Sequence, residues 1–447
     1  INIGPSGGGN QGLNLGGGTI ALSSGTINLN GNFSRGTGGG TFTQSGGLLS
    51  IDGNSGTVGT SAGSTKNLFE FLSATGTGLN CTAGTIRIVD PHFSTIATSS
   101  IKSVSLSYST TAPTSFQFSG SHTFEFGDGT SATGGNTDGF VIDTFVGSFR
   151  VPLQNVTVNS GATANRWVST AYTAGNGTNI NGTLTINADC EFRNTTALTT
   201  TPFTISGNIV NNGTLTSSHT IQFALNGVAG GAPTTNTIAQ TVSGSGVYRN
   251  LAASPTAKFT NLIFNNSTAA SAVTFSIGDV TATGTVTLTN GILNIGNNNS
   301  FNFVGTASAV ARTNGYVLIQ GTGQMKKDLA SGVNTFTFHV GENTGTTEYS
   351  PYFLSFSANS LARTIGVCPV DAIHPDIDNV DVQKLVNHIL IDASFMKSFS
   401  SKNVEDYFID ASICPFFSTS IPLLFEFIPF LFNNIILSCL LYTSPSP

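Results

Sequence analysis

The carboxylates around Gly134–Asp143 (GGNTDGFVID) are the residues whose types and spacing could do chemistry in this sequence. Asp138 and Asp143 lie within that segment, and Glu125 and Asp128 precede it. Paired carboxylates can cleave a glycosidic bond, one acting as general acid and the other activating water. Asp138 and Asp143 are therefore candidate catalytic carboxylates. The interpretation that we favour is a polar loop between strands, with no catalytic residue.

Carboxylates of the same region are candidate metal ligands, because Ca²⁺ takes oxygen ligands. Glu125, Asp128 and Asp138 would form this site, although the sequence has no D-x-D-x-D-G pattern. The acidic segment His374–Asp381 lacks the glycine and the distal glutamate of an EF-hand loop. None of the six histidines forms an H-x-H or H-E-x-x-H motif of the kind that binds zinc. We expect no metal and no cofactor.

Asn136–Gly139 resembles the Asn-Thr-Asp-Gly signature of pectin-cleaving glycosidases, which are parallel β-helices. The resemblance implies a pectinase-like activity on polyuronides, with Asp138 and Asp143 as its carboxylates. The later elements of that family are an Asp-Asp pair, a Gly-His-Gly and an Arg-x-Lys, and none of them follows in this chain. An enzyme therefore stays the alternative, beside a carbohydrate-binding module without catalysis.

The composition favours strands over helices as the elements that position these residues. Only 9% of the 447 residues are charged and 53 are glycine, whereas a typical soluble domain is about 25% charged. Glycine and asparagine suit tight turns and are poor helix formers. Residues 1–366 hold every glycine and equal numbers of acidic and basic residues, so the net charge of −6 belongs to residues 367–447. A neutral body argues against nucleic-acid binding, which needs basic stripes.

A repeat with fixed internal spacing predicts the architecture. Gly18–Asn32 (GTIALSSGTINLNGN), Gly40–Asn54 (GTFTQSGGLLSIDGN) and Gly284–Asn298 (GTVTLTNGILNIGNN) align without gaps. Each has glycine at its eighth position and apolar residues at positions 3, 5, 10 and 12, with Gln44 the one exception. Apolar residues two apart face one side of a strand. The central glycine then separates two short strands, and such a unit must stack on copies of itself.

We therefore predict an all-β fold, with a parallel β-solenoid or β-helix over residues 1–304 and a coil of 22 residues from Gly18 to Gly40. A β-sandwich-like module is expected at 305–366. The copies between 55 and 280 are degenerate, so a string of small β-sandwiches stays open there. Asparagines in segments such as Gly296–Phe303 suit either side-chain ladders between coils or left-handed turns, and we favour the turns.

Three segments carry a family resemblance: Thr241–Asn266, Asn314–Leu329 and Phe336–Phe356. Together with the Tyr-Ser-Pro element Tyr349–Pro351, they resemble large secreted bacterial surface proteins exported by the type IX secretion system. The family's Phe-Pro-Val-Gly stands here as Phe338–Gly341 (FHVG), and no sorting domain follows. The resemblance implies an extracellular or cell-surface protein with a structural or adhesin-like role. The partners of such a protein would be glycans or other surface proteins. The resemblance implies no catalytic residue.

Cysteine usage and the start of the chain add two expectations. The five cysteines form no C-x-x-C pair, which argues against zinc ribbons and thioredoxin-type motifs. Cys81 and Cys190 could pair, although isolated buried thiols are the interpretation that we favour. The sequence starts at Ile1 without a signal peptide, which we interpret as a missing upstream segment.

Residues 367–447 form an acidic and then apolar tail that we expect to be foreign to the fold. Ile413–Leu441 holds one charged residue, which is the length and polarity of a membrane span. It also contains three prolines and lacks flanking basic residues, so we expect no genuine transmembrane span. Cys439–Pro447 (CLLYTSPSP) resembles a translated sequencing-library adapter. A chimeric or frame-shifted tail, disordered or poorly supported as helix, is the expectation.

Overall fold

The structure is a computed structural model of the full chain. The residues that it describes are 1–3, 12–36, 38–52, 67–73, 77–89, 103–108, 116–129, 139–146, 149–159, 167–170, 179–194, 202–226, 233–250, 258–268, 271–343, 347–370 and 388–391. All the regular secondary structure of these described residues is β-strand, which confirms the all-β prediction. The chain divides into two compact units, Ile1–Ile277 and Gly278–Pro447. The division predicted at 304/305 came from the extent of the repeats and stays a prediction.

The strands of the first unit are short and follow one another closely along the chain. They are β1 (Asn2–Ile3), β2 (Leu13–Asn14), β3 (Thr19–Leu22), β4 (Thr26–Asn30), β5 (Phe33–Arg35), β6 (Thr41–Asp52), β7 (Phe69–Ser73), β8 (Leu79–Ile88), β9 (Val104–Tyr108), β10 (Phe116–Phe118), β11 (Thr123–Phe126), β12 (Gly139–Asp143), β13 (Phe145–Val146), β14 (Phe149–Arg150), β15 (Asn155–Val158), β16 (Trp167–Thr170), β17 (Asn179–Ile180), β18 (Leu184–Ile186), β19 (Glu191–Asn194), β20 (Phe203–Ile205), β21 (Ile209–Asn211), β22 (Thr214–Ser217), β23 (Thr220–Phe223), β24 (Gln240–Ser243), β25 (Val247–Arg249), β26 (Asn261–Asn265) and β27 (Val273–Phe275).

Parallel pairing between successive coils builds three sheets in this unit. The first sheet runs β1-β4-β6-β8-β11-β15-β18-β21-β24-β27, with β3 beside β6 and β10 beside β8. The second runs β2-β5-β7-β9-β12-β16-β19-β22-β25, and the third runs β17-β20-β23-β26. β13 and β14 form an antiparallel hairpin. Small β-sandwiches are built from antiparallel sheets, so this unbroken parallel pairing favours one solenoid between residues 55 and 280.

The register between coils follows the repeat alignment. Ile27 pairs with Leu49, which is the predicted offset of 22 residues. The same interior column continues through Ile86 and Phe124 to Val156. The offsets from Leu49 to Ile86 and from Ile86 to Phe124 are longer because more residues separate the paired strands, while each strand keeps its place. A fixed interior face with variable loops is how a solenoid accepts degenerate repeats.

The glycine at the eighth position of each repeat copy has a left-handed backbone. Gly25, Gly47 and Gly291 have φ of 75°, 70° and 86°, a region that residues with a Cβ enter at a cost. In the first copy the glycine separates β3 from β4, as predicted. In the second copy the expectation of two short strands is wrong, because β6 runs through Gly47 as one twelve-residue strand.

Phenylalanine rings fill the interior of the first unit. Phe33 stacks on Phe69 with ring centroids 5.4 Å apart, and Phe69 meets Phe124 edge-on at 5.8 Å. Phe126, two residues beyond Phe124, lies 5.4 Å from Phe140 of the second sheet. All five rings are buried, and burying each contributes about 1.5–3 kcal/mol. The core is therefore continuous between sheets as well as between coils.

Asparagines take part both in a left-handed turn and in side-chain hydrogen bonds between coils. Within Gly296–Phe303, Asn298 has a φ of 63°, the left-handed turn that we favoured there. Asn28 donates to Asn2 of the neighbouring coil at 2.8 Å. At a buried corner, Asn226 donates to Asn181 Oδ1 at 2.9 Å and to the carbonyl of Ile180. These bonds join side-chain amides to each other and to a backbone carbonyl of another coil.

The second unit starts with parallel coils and adds antiparallel strands toward its end. Its strands are β28 (Val280–Ala282), β29 (Thr285–Asn290), β30 (Ile292–Asn297), β31 (Phe301–Phe303), β32 (Ala309–Arg312), β33 (Tyr316–Gln320), β34 (Met325–Leu329), β35 (Asn334–Phe338), β36 (Val340–Glu342), β37 (Glu348–Tyr349), β38 (Tyr352–Phe356), β39 (Arg363–Val370) and β40 (His388–Ile391). β30-β33-β36, β29-β32 and β28-β31-β34 pair in parallel. β34-β39, β39-β40, β35-β38 and β36-β37 are antiparallel.

The compositional boundary at Gly366 falls inside a strand. β39 continues to Val370 and pairs Val367 with Met325, and Val367 and Cys368 are buried. The first residues of the predicted tail therefore belong to the fold. Residues 371–387 and 392–447, which include Ile413–Leu441 and the adapter-like end, lie outside the described residues. In the part of the chain that is described, no helix is long and apolar enough to cross a bilayer.

Candidate functional site

The first candidate carboxylate, Glu125, is held in an outward ladder on the first sheet. It lies on β11 between the buried rings of Phe124 and Phe126, so its side chain points away from the core. Arg87 of the neighbouring β8 donates from Nε to Glu125 Oε2 at 2.7 Å. Asn159 donates to the other carboxylate oxygen. Both oxygens are therefore engaged by neighbouring coils.

The remaining candidate carboxylates do not join Glu125 on its strand. Asp143 ends β12 of the second sheet and is half-buried. Asp128 follows β11 and is half-buried, and Asp138 lies outside the described residues. Within the described ranges, no group of three His, Cys, Asp or Glu side chains is placed to hold a metal ion. The catalytic pair and the metal site both include Asp138, so both stay predictions.

An ion cluster on the outer face of the second sheet escaped sequence reasoning. Glu191 accepts from Arg193 and from Arg249, both at 2.7 Å. Thr216, on the strand between them, donates to the same carboxylate. Burial opposes ionisation of Glu191, but these hydrogen bonds outweigh it and hold the pKa below its usual range. The four residues meet because β19, β22 and β25 stack, although they span nearly sixty positions of sequence.

Trp167 borders this cluster and is buried. The Arg193 guanidinium lies 4.3 Å from the centroid of the indole ring, and Trp167 is 7% exposed. The ring also lies against the backbone of Gly139, where a Cβ would come within 2.4 Å of it. Trp167 is therefore a buried residue of strand β16. Its face is not open for stacking on a sugar.

A cavity of about 310 Å³ lies in the second unit, with Lys327 in its wall. Lys327 is on β34 between Met325 and Leu329, the buried alternate positions of that strand. Its ammonium donates to the carbonyls of Gly305 and Thr306 at 2.9 and 3.1 Å and to Ser308 Oγ at 2.8 Å. Burial lowers the pKa of Lys327 to about 8, although Asp328 opposes the shift. The sequence signal that could have found this site is a lysine at a position where the alternation of Met325 and Leu329 calls for an apolar residue.

His339 links the cavity to a cationic and aromatic group on its flank. Its side chain lines the cavity, and its Nδ1 lies 2.7 Å from the Tyr349 hydroxyl. The Arg312 guanidinium lies 3.8 Å from the centroid of the Tyr349 ring. Burial, with the charge of Arg312, lowers the pKa of His339 to about 4. The imidazole is therefore neutral at pH 7 and can donate or accept a hydrogen bond.

The fold defines the class of the protein: an all-β chain whose first unit is a parallel β-solenoid. Comparison with protein-family models, with curated proteins and with solved structures finds no match in any of the three.

Proposed function

We propose that this chain is a non-catalytic extracellular surface protein of the type IX secretion cargo kind. Its solenoid would space and display surface for contact with cells, matrix or glycans. The observation that carries the proposal is the in-register parallel stacking of coils around a continuous phenylalanine core. A surface for contact needs an ordered face, and outward side chains of successive coils form ladders such as Arg87–Glu125–Asn159.

Backbone pairing supports the role of a spacer. Each coil donates and accepts along the strands of its neighbours, and ring contacts such as Phe33–Phe69 join adjacent coils. In such a fold the stability is approximately a sum of coil terms and nearest-neighbour terms. A solenoid can therefore extend by adding coils without building a larger core.

A polysaccharide-acting enzyme is the alternative, and the state of Glu125 argues against its use of that carboxylate. A glycosidase needs one carboxyl that carries a proton and another that is free to attack or to activate water. Arg87 and Asn159 donate to the two carboxylate oxygens of Glu125, one to each, so both oxygens already have a partner. Asp143 remains the described candidate, with Asp138 beyond the described residues.

Adhesion of the full chain is the test of the proposal. The purified protein would be assayed on a glycan array and on immobilised cells and matrix, with the heat-unfolded protein as control. We expect saturable binding that unfolding abolishes. In parallel, pectin and related polyuronides would be incubated with the wild type and with Asp143→Asn. Turnover that the substitution removes would overturn the non-catalytic assignment, and an absence of any saturable contact would overturn the adhesive one.

Export would be tested separately with the complete gene in a host that has the type IX machinery. Secretion that stops when the machinery is deleted supports the assignment. Secretion that continues unchanged in the deletion strain contradicts it.

A further inference from the structure

The positive charge of Lys327 in the cavity of the second unit has no carboxylate partner among the residues that line the cavity. Lys327 is the lining residue with a full charge at pH 7, and no Asp or Glu side chain belongs to the lining. Asp328, its neighbour in sequence, faces the other side of β34, where it accepts from the backbone of Gly305 and from Thr364. The three acceptors of the ammonium are two carbonyls and a hydroxyl, so they solvate the charge without neutralising it.

The other lining groups have the chemistry of a site for a polyhydroxylated ligand. Thr306 and Thr335 are exposed residues that bring hydroxyls, and His339 brings a neutral imidazole. Asn334 brings its amide oxygen, since its amide nitrogen donates to the carbonyls of Ala330 and Gly332. Phe353 is 40% exposed, so its ring offers an apolar face at the wall. Aromatic faces attract the C–H edges of a ring because the π-system is negative there. The volume is at the lower end of the range of about 300–1,000 Å³ for small-ligand sites.

We propose that this cavity binds a uronate, a sugar unit that carries a carboxylate, with the carboxylate on the Lys327 side and the C–H face of the sugar against Phe353. Lys327 has all three of its donors engaged, so it attracts the carboxylate through its charge. The hydroxyl, amide and imidazole groups bind the sugar hydroxyls. The inference rests on the proposed function, because it names the acidic glycan as the class of surface contact.

The electrostatics of the flank agree with an anionic ligand. Arg312 lies over Tyr349, and burial together with the charge of Arg312 lowers the pKa of His339. Burial, with the charges of Glu342 and Glu348, raises the pKa of Tyr316, and neither glutamate belongs to the cavity lining. A neutral sugar would gain nothing from the lysine and the arginine, which is why the carboxylate distinguishes this site from a general sugar pocket.

The test is a calorimetric titration of the full chain with galacturonate and with galactose at pH 7 and low ionic strength. The two sugars differ in the carboxylate alone, so we expect galacturonate to bind at least tenfold more tightly. Lys327→Met should weaken galacturonate at least tenfold. Lys326→Met is the matched control, since it removes the same charge from the adjacent residue on the opposite face of β34, and it should leave the affinity unchanged.

Thr335→Glu covers the case in which Lys327→Met does not fold. Thr335 is exposed and lines the cavity, so the substitution adds a negative charge without disturbing the core, and it should abolish galacturonate binding. Equal affinities for the two sugars, or galacturonate binding that persists in Thr335→Glu, would overturn the inference. If the chain binds cells or glycan arrays while galacturonate does not bind, this inference fails and the proposed function stands. If galacturonate binds while the chain binds neither cells nor glycan arrays, this inference stands and the proposed function fails.

Discussion

The side chains of Gln44 and His122 meet inside the first unit, where Gln44 Oε1 lies 3.3 Å from His122 Nε2. Gln44 is the polar exception in the repeat, at the position that Leu22 and Leu288 occupy in the other copies. Its amide nitrogen donates to the carbonyls of Gly47 and Thr85 at 3.2 and 3.1 Å. A buried amide is tolerated when its partners are present, so the exception in the sequence marks a polar contact between coils.

The stability of the first unit should depend on the protonation of His122. Burial lowers its pKa to about 3, whereas the unfolded chain takes up this proton near pH 6.5. The unfolded state therefore binds more protons between these values, and the free energy of unfolding falls as the pH is lowered from 6.5 toward 3. The slope from this group is at most about 1.4 kcal/mol per pH unit. Urea unfolding at pH 4 to 7, followed by the fluorescence of Trp167, measures it.

His122→Phe is the variant for this experiment, because it keeps a ring between Phe118 and Phe124 and removes the titrating group. The free energies of unfolding of wild type and variant should converge or cross as the pH falls, because only the wild type loses stability through the protonation of His122. Parallel stability profiles between pH 6.5 and 4 would show that the folded protein protonates His122 as readily as the unfolded chain does, which would contradict the lowered pKa.

Truncation of Phe124 should destabilise the first unit severely. Its ring is fully buried and touches Phe69 and Phe118 at centroid distances of 5.8 and 4.8 Å. Phe124→Ala should cost about 3–5 kcal/mol. Gln117→Ala, on the exposed side of β10, should stay within about 0.5 kcal/mol of the wild type. Chemical unfolding of the three proteins gives the comparison, and a loss below 1 kcal/mol for Phe124→Ala would contradict the packed core.

Gly47→Ala should be costly for two reasons. Gly47 has a φ of 70°, and a Cβ there would lie 2.7 Å from the carbonyl oxygen of Gly25 in the neighbouring coil. Left-handed strain alone costs about 1–3 kcal/mol. Gly16→Ala is the matched control, because a Cβ at Gly16 meets nothing within 4 Å. Thermal unfolding should separate the two variants, and equal transition temperatures would show that the glycine position is not constrained.

Cys81 and Cys190 should behave as protected thiols. Both are buried and neither is in a disulfide, and burial raises the pKa of Cys81, which disfavours its reactive thiolate. Maleimide should modify neither residue in the native protein and both after unfolding, as read by peptide mass mapping. A peptide that joins Cys81 to Cys190 under non-reducing conditions would overturn this prediction.

The solenoid was predictable because its signal is local. Apolar residues at alternate positions and a glycine at the eighth position specify which side chains face inward and where the chain bends, and Ile27 pairs with Leu49 at the predicted spacing. The longer coils, such as that from Leu49 to Ile86, could not be foreseen. Their loops vary in length, and the sequence carries no periodicity across them.

The candidate sites depended on contacts between coils. Sequence alone determined the all-β class, the repeat register and the candidate carboxylates Glu125 and Asp143. Only the tertiary structure decided that Arg87 engages Glu125, and that Lys327 is in the wall of a cavity. A side chain's charge state and accessibility follow from neighbours that come from other coils. The spacing to those neighbours is set by loop lengths, on which the repeat pattern places no constraint.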